Sequence, residues 1–425
     1  MEELLHYVWK HRLFPLKELL TTAGQRVEVV DPGLHNTNAG PDFFNAKLKI
    51  DGTLWVGNVE VHSLSGDWMR HGHHQDEAYN NVVLHVVGKA DVEVSASNGE
   101  PVPQLVLPIP AQVLSNYDQL QHADIYPPCY SVFPTLPKIK ISSWLTALQA
   151  QRFEQKARLI ISRLQSHDHQ WEDVFFITLA RNFGFGLNGD AFERWAGRLP
   201  FRALAKHRDD LFQVEAIFFG VAGMLEKEAD DLDYYIRLKK EYTYLKHKFE
   251  LPTPLPLSLW KMLRLRPGNF PHVRIAQLAY LYNKEQSLFS RVMEAETIDE
   301  LRLIFELSTS AFWETHYCFN RTSSTRKKLL GKNAFNLVII NTVVPFLYAY
   351  GRYKDDETLC RRASDFLDQL KAEDNYIIRQ WDRTGLHVKT AADSQALIQL
   401  RKEYCDKKDC LRCRFGYEFL KSKEI

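Results

Sequence analysis

The stretch AGPDFFNAKLKIDGTLWVGNVEVHSLSGDWMRHGHHQDEAYNNVVLHVV, residues 39–87, is the part of the sequence from which the fold is read. Two alternating apolar runs flank Asp51 and Gly52, the arrangement of a β-hairpin with a tight turn. Successive strand side chains point to opposite faces. Glu60 and His62 therefore share one face, and Val59 and Val61 share the other. Pairing of the two runs brings Asp42, which follows a Gly-Pro turn, alongside Glu60. Two carboxylates and an imidazole around one point suit a divalent cation.

The flanking elements extend this reading. An amphipathic helix over residues 2–14 precedes a short strand over 26–30. The Asp42 strand, the Glu60/His62 strand, a polar helical stretch over 67–79 and a strand over 81–87 follow. The order is α-β-β-β-α-β. With Pro41-Asp42 and Glu60-Val61-His62, it resembles the restriction-endonuclease-like superfamily, whose signature is PD, a spacer, then (D/E)xK. The resemblance covers the first quarter of the chain. It implies a nuclease in which Asp42 and Glu60 hold Mg²⁺ or Mn²⁺ and His62 stands where lysine usually orients the attacking water. Histidine there is compatible with a neutral base, a metal ligand or a member without activity. The whole chain also resembles an uncharacterised bacterial family known as a domain of unknown function. That resemblance rests on GPDFFNA and NVEVH, on RPGNFPHVRIAQLA at 266–279 and on the terminal CLRC, and it implies no activity.

At 425 residues, with 45% hydrophobic and 25% charged residues, the chain has the composition of a soluble protein of two or three domains. The net charge of +1 is unevenly spread. Residues 1–110 carry 8 Lys/Arg against 14 Asp/Glu, and they hold 8 of the 16 histidines. An acidic, imidazole-rich start suits a metal site better than a grip on phosphates, which falls to the more basic remainder. The opening MEELLHY has no secretory pattern. The apolar run at 337–350 is short and interrupted by Asn341 and Pro345, which predicts no membrane span. Six cysteines do not form a disulfide framework, and the cytoplasm is the expected compartment.

Several further residues are candidates. Glu2, Glu3 and His6 read as a solvated first turn of the opening helix. In the loop at 31–40, His35, Asn36 and Asn38 suit either substrate phosphate or turn geometry. Asp67, His71 and His74 fall at helical spacing on one face, and His71, His73, His74 and Asp76 are a possible metal set, though Gly72 weakens the helix. His85 reads as a core histidine. Gly184–Gly189 spells GxGxxG but lacks the preceding strand and the later acid of a dinucleotide site, so no such cofactor is expected. Arg321, Arg326, Lys327 and Lys328, set among hydroxyls, suit phosphate contacts or a solvated loop. Cys405, Cys410 and Cys413 have metal-thiolate spacing, with Cys360 or His387 as the fourth ligand. Zinc is the simpler choice; an iron–sulfur cluster is what the similarity to endonuclease-like nucleases with three of four cysteines grouped at the carboxyl end implies, and three reduced core cysteines are the plain reading.

The expected architecture is an α+β domain over 1–110, a Pro-rich linker over 111–140 and an all-α region over 141–425, with a possible break at 251–257. Three functions remain open. The first is a metal-dependent nuclease using Asp42, Glu60 and His62. The second is an inactive nuclease fold that binds nucleic acid or supports an assembly. The third is a histidine-based metallohydrolase acting on another substrate.

Overall fold

The computed structural model describes residues 1–15, 19–168, 170–226 and 232–422. The chain divides into two compact units. The first comprises residues 1–144, 380–386 and 400–425; the second comprises 145–379 and 387–399.

The first unit contains helix α1 (Glu2–His11) and strands β1 (Leu19–Leu20), β2 (Arg26–Asp31), β3 (Leu34–His35), β4 (Phe43–Ile50) and β5 (Thr53–Leu64). The short helix α2 (Asp67–Arg70), strands β6 (Val82–Lys89) and β7 (Gln104–Val106) and helix α3 (Ala111–His122) follow. The sheet runs β1-β2-β4-β5-β6-β7, with β3 paired to β4. β2, β4 and β5 are antiparallel, whereas β5, β6 and β7 are parallel. Parallel neighbours require a crossover, and the segment carrying α2 supplies it.

The β4–β5 turn is the two-residue kind expected from Asp51-Gly52. Both residues have positive φ, 50° and 82°, matching the twist of the strands. A bulge between Phe43 and Ala46 interrupts the register near Asp42. Helix α1 packs against β5 through its apolar stripe, with Leu4, Leu5, Val8 and Trp9 almost fully buried. Trp9 also donates its indole N–H to the Pro32 carbonyl at 3.1 Å. Truncating so large a buried side chain costs about 3–5 kcal/mol.

The second unit is mainly helical. Phe175, Trp195, Phe218 and Phe346 are fully buried in its core. GxGxxG lies between the helices Trp171–Phe183 and Gly189–Ala196, so no strand leads into it.

Three sequence expectations change. Residues 111–140 are not a bare linker, since they contain α3 and the turn Tyr130–Val132. Residues 400–425 belong to the first unit rather than to an all-α carboxyl region. The run at 337–350 is not broken by Pro345. A helix continues from Lys332 to Lys354, passing through a π-turn at Ile339–Val343. Proline cannot bond the carbonyl four residues back, and here the Asn182 side-chain amide donates to the Asn341 carbonyl instead, at 2.9 Å. Among the described residues this is the one helix long and apolar enough to cross a membrane, and 67% of its apolar window is buried inside the protein. The segment at 251–257 is extended, and Leu255 N–H donates to the Val221 carbonyl within the second unit.

Candidate metal centre

Strand register assembles the site. Phe43 pairs with Val59, which sets Asp42 beside Glu60. The Asp42 N–H donates to Glu60 Oε2 at 3.0 Å, and the Val61 N–H donates to Asp42 Oδ2 at 2.9 Å. Each carboxylate is thus oriented by the other residue's strand. Across the parallel ladder Glu60 pairs with His85. His62 Nδ1 then lies 2.9 Å from His85 Nε2.

The crossover completes the cluster. Helix α2 stops at Arg70, and Gly72 takes φ 79°, a backbone state that side-chain-bearing residues rarely adopt. This turn feeds the short helix His73–Gln75 and points His73, rather than His74, at Glu60. His73 Nε2 stands 3.1 Å from Glu60 Oε1 without hydrogen-bond alignment, so it is a buried nitrogen with no hydrogen-bond partner. Its ring stacks on Tyr79 at 3.8 Å and meets Trp68 edge-on at 5.4 Å. His62 Nε2 lies 3.5 Å from Glu60 Oε1 and 3.1 Å from His71 Nδ1.

These separations can be compared with an ion's requirements. Four ligands about 2.1 Å from a tetrahedral ion stand about 3.4 Å apart. Three of the six edges, Glu60–His73 at 3.1 Å, His62–His71 at 3.1 Å and His62–Glu60 at 3.5 Å, are close to that. The ligand atoms of His62, His71 and His73 all lie within 4.8 Å of one another. Glu60, His62 and His73 are buried while His71 is exposed, so the cluster has one side on solvent. Imidazole-rich donor sets suit zinc, copper, iron or nickel better than magnesium, and the carboxylate of Glu60 also admits manganese.

Electrostatics separates the roles. Burial, then the charges of His85, His73, His71 and His6, push His62 down to about 2. His85 is lowered to about 4, chiefly by burial. A histidine this reluctant to take a proton, with both ring nitrogens facing neighbours, fits a ligand rather than a water-activating base. Asp42 is raised to about 6 by burial and then by Glu60, against the opposing pull of His6 and the Val61 N–H. It is the carboxylate poised near neutrality.

Sequence reasoning passed over two participants. His6 Nε2 lies 3.4 Å from Asp42 Oδ2 and 3.3 Å from the Val61 carbonyl. Both neighbours are acceptors, so this nitrogen carries the proton. His85 stands behind His62. An alternating pattern marks His85 as facing the Glu60 side only once the parallel register is known.

The remaining candidates are dispersed. His35 is 5.9 Å, ring to ring, from His6. Asn38 shapes its loop through its backbone N–H to Asn36 Oδ1 at 2.9 Å. Asp67 pairs with Arg70 at 2.7 Å, and Asp76 caps the turn Glu77–Tyr79. His74 is not one of the converging histidines.

In the second unit, Arg326, Lys327 and Lys328 line a cavity of about 940 Å³ with Arg266, Arg274 and Lys332, and among the described residues no acidic one lines it. Arg321 is absent from that lining and sits over the Phe270 ring at 5.6 Å. Lys328 is buried and donates to Ser323 Oγ at 2.8 Å. Arg274 is 5% exposed, sits over the Phe185 ring at 4.5 Å and, among the described residues, donates to the neutral acceptors of Gln277 and Asn269 alone, leaving Nε unpartnered. Burial lowers it to about 10.

Cys405, Cys410 and Cys413 lie in the first unit, as does Cys129. Cys360 lies in the second unit, where it packs against Gly351 and donates to the Tyr348 carbonyl at 3.7 Å. His387 is also in the second unit.

A mixed sheet carrying a carboxylate–imidazole cluster defines a candidate metalloprotein. A family model described as "Protein of unknown function (DUF2851)" matches residues 2–376, and the chain belongs to that family. No curated protein and no solved structure matches it.

Proposed function

We propose that this protein is a metal-dependent hydrolase of phosphodiesters, with nucleic acid as substrate. Convergence of His62, His71 and His73, with Glu60 beside His62 and His73 and next to a second carboxylate, Asp42, carries the reading. The strand order and the Pro41-Asp42 and Glu60-x-His62 positions are similar to those of restriction-endonuclease-like enzymes. The donor set favours a transition metal such as Mn²⁺ or Zn²⁺ over Mg²⁺. His62, His71 and His73, with Glu60, would hold the ion, which would supply Lewis-acid polarisation of a phosphoryl oxygen and a more acidic water. Glu60, oriented by the Asp42 N–H, presents Oε1 to the ligand cluster, and His85 fixes the ring of His62. Asp42, held by His6 and Val61, accepts the proton of the attacking water.

Phosphate as the substrate chemistry is supported by the cation-lined cavity of the second unit. A buried guanidinium with only neutral partners favours an anion, because an uncompensated buried charge is costly. The deciding experiment incubates purified protein with single- and double-stranded DNA and RNA in Mn²⁺, Zn²⁺, Co²⁺ or Mg²⁺. Cleavage is expected with the transition metals and its loss in Glu60→Gln. Equal behaviour of wild type and Glu60→Gln on every substrate would favour an inactive binding module.

A further inference from the structure

We propose that Cys129, Cys405, Cys410 and Cys413 together hold one thiolate-bound metal centre, a zinc ion or an iron–sulfur cluster, which fastens the carboxyl-terminal segment to the chain around Cys129.

Cys129 is the ligand that sequence spacing could not supply. It lies about 276 positions before Cys405, yet both fall in the first unit. The two segments meet through aromatic packing. Phe133, just beyond Cys129, makes edge-to-face contacts with Phe415 at 5.0 Å and with Trp381 at 5.6 Å. The helix Arg414–Lys421, directly after Cys413, packs on the turn Tyr130–Val132, directly after Cys129. All four cysteines are free of disulfides, and Cys129, Cys410 and Cys413 are buried.

The surroundings are built for sulfur ligands. Cys410 opens the turn Cys410–Arg412, and Cys413 directly precedes the helix Arg414–Lys421. The Cys413 N–H donates to the Cys410 carbonyl at 3.2 Å, folding the C-x2-C pair into a tight loop. The backbone N–H groups of Phe415 and Gly416 point at the Cys413 sulfur. A Cβ at Gly416 would stand 2.1 Å from the Cys410 carbonyl oxygen, so the loop closes only with glycine there. Two buried donors face these sulfurs: the Trp144 indole N–H faces Cys413, and the Tyr126 hydroxyl, which also meets the Arg401 guanidinium, faces Cys405. N–H and O–H groups aimed at sulfur favour the thiolate, which is the ligating form.

Coordination releases the thiol protons, and the cation neutralises the resulting thiolates. Among the described residues only the histidine trio converges within 4.8 Å. The thiols therefore enclose more space than the roughly 3.8 Å edge of a single zinc site with Zn–S of about 2.3 Å, and the experiment must separate the two centres.

The full chain, produced in cells supplied with both metals and purified without oxygen, is analysed for zinc, iron and acid-labile sulfide. One centre per chain is expected: iron with sulfide and visible absorbance for a cluster, or zinc without colour for a single ion. X-ray absorption at the edge of the metal found should show sulfur-only protein ligation. Cys129→Ser should lose the centre as fully as Cys413→Ser does, whereas Cys360→Ser keeps it. Where a variant does not fold, the ligand count from wild-type protein decides alone. A metal content below a tenth of an equivalent, or three sulfurs with a nitrogen or oxygen as fourth ligand, would overturn the assignment.

Discussion

His62 and His85 stand on adjacent parallel strands with Nδ1 of the first 2.9 Å from Nε2 of the second. With Nε2 of His62 turned toward Glu60 and His71, its Nδ1 proton goes to His85, and the ring cannot rotate away from the cluster. His85 is fully buried, so its contribution to the site is to fix another ligand.

Outer partners of metal-bound histidines typically change affinity by 10–100-fold. Replacing His85 by Ala should therefore weaken metal binding at the Glu60 site by about that factor while leaving stoichiometry unchanged. Competition calorimetry against a chelator measures it. His73→Ala should abolish high-affinity binding and His74→Ala should not. Equal losses from the two would mean that Gly72 does not set the register of the cluster.

Asp42 gives a pH dependence with a definite sign. Its metal-free carboxyl sits near pH 6, and only the ionised form accepts a proton from water. A neighbouring cation favours that ionised form. Turnover by the metal-loaded protein should therefore rise with pH along an acid limb centred at or below 6. Asp42→Asn should lower the rate by about 10²–10⁴-fold, the usual worth of a positioned general base, and should remove that limb. A variant that keeps both rate and limb would reassign the proton acceptor.

The second unit carries a separate acid sensitivity. His272 lies among Phe219, Trp313 and Phe319, and burial lowers it from 6.5 to about 4. The unfolded chain binds this proton below pH 6.5 and the folded chain does so only near 4. The stabilising contribution is thus complete above 6.5 and is lost as pH falls through that window, by about 3 kcal/mol at most. Thermal melts of wild type and His272→Phe between pH 7 and 4 should diverge, with the variant losing less. Parallel curves would place the acid sensitivity elsewhere.

The legible parts of the sequence were local ones. Asp51-Gly52 specifies the hairpin and its register as far as Ala46 opposite Gly57, but it is the bulge between Phe43 and Ala46, unmarked in the sequence, that shifts the pairing by one and sets Asp42 beside Glu60. Contacts decided by the path between elements were hidden. His73 replaces His74 because one glycine stops a helix and starts a new turn. His85 reads as a core residue until the β5–β6 crossover gives its pairing. His6 resembles any polar residue in a first turn, yet α1 lays it against Asp42. Cys129 carries no local signature at all, and only the fold brings it to the terminal cysteines. The proline at 345 was over-read, because a π-turn and the amide of Asn182 take up the backbone bond it forfeits.

Residues 400–425 belong with residues 1–144, which has a consequence for the order of synthesis. About 255 residues must be translated between the last of the early segment and the first of the late one. At about 5–20 residues per second that interval is roughly 15–50 s. During it the sheet bearing Glu60 is already made, while the helix that supplies Phe415 and Cys413 does not yet exist. A nascent chain arrested near residue 390 should therefore be cut by protease around residues 123–137, and one extended past residue 422 and released should resist. Equal resistance of the two would show that the early segment reaches its final state alone.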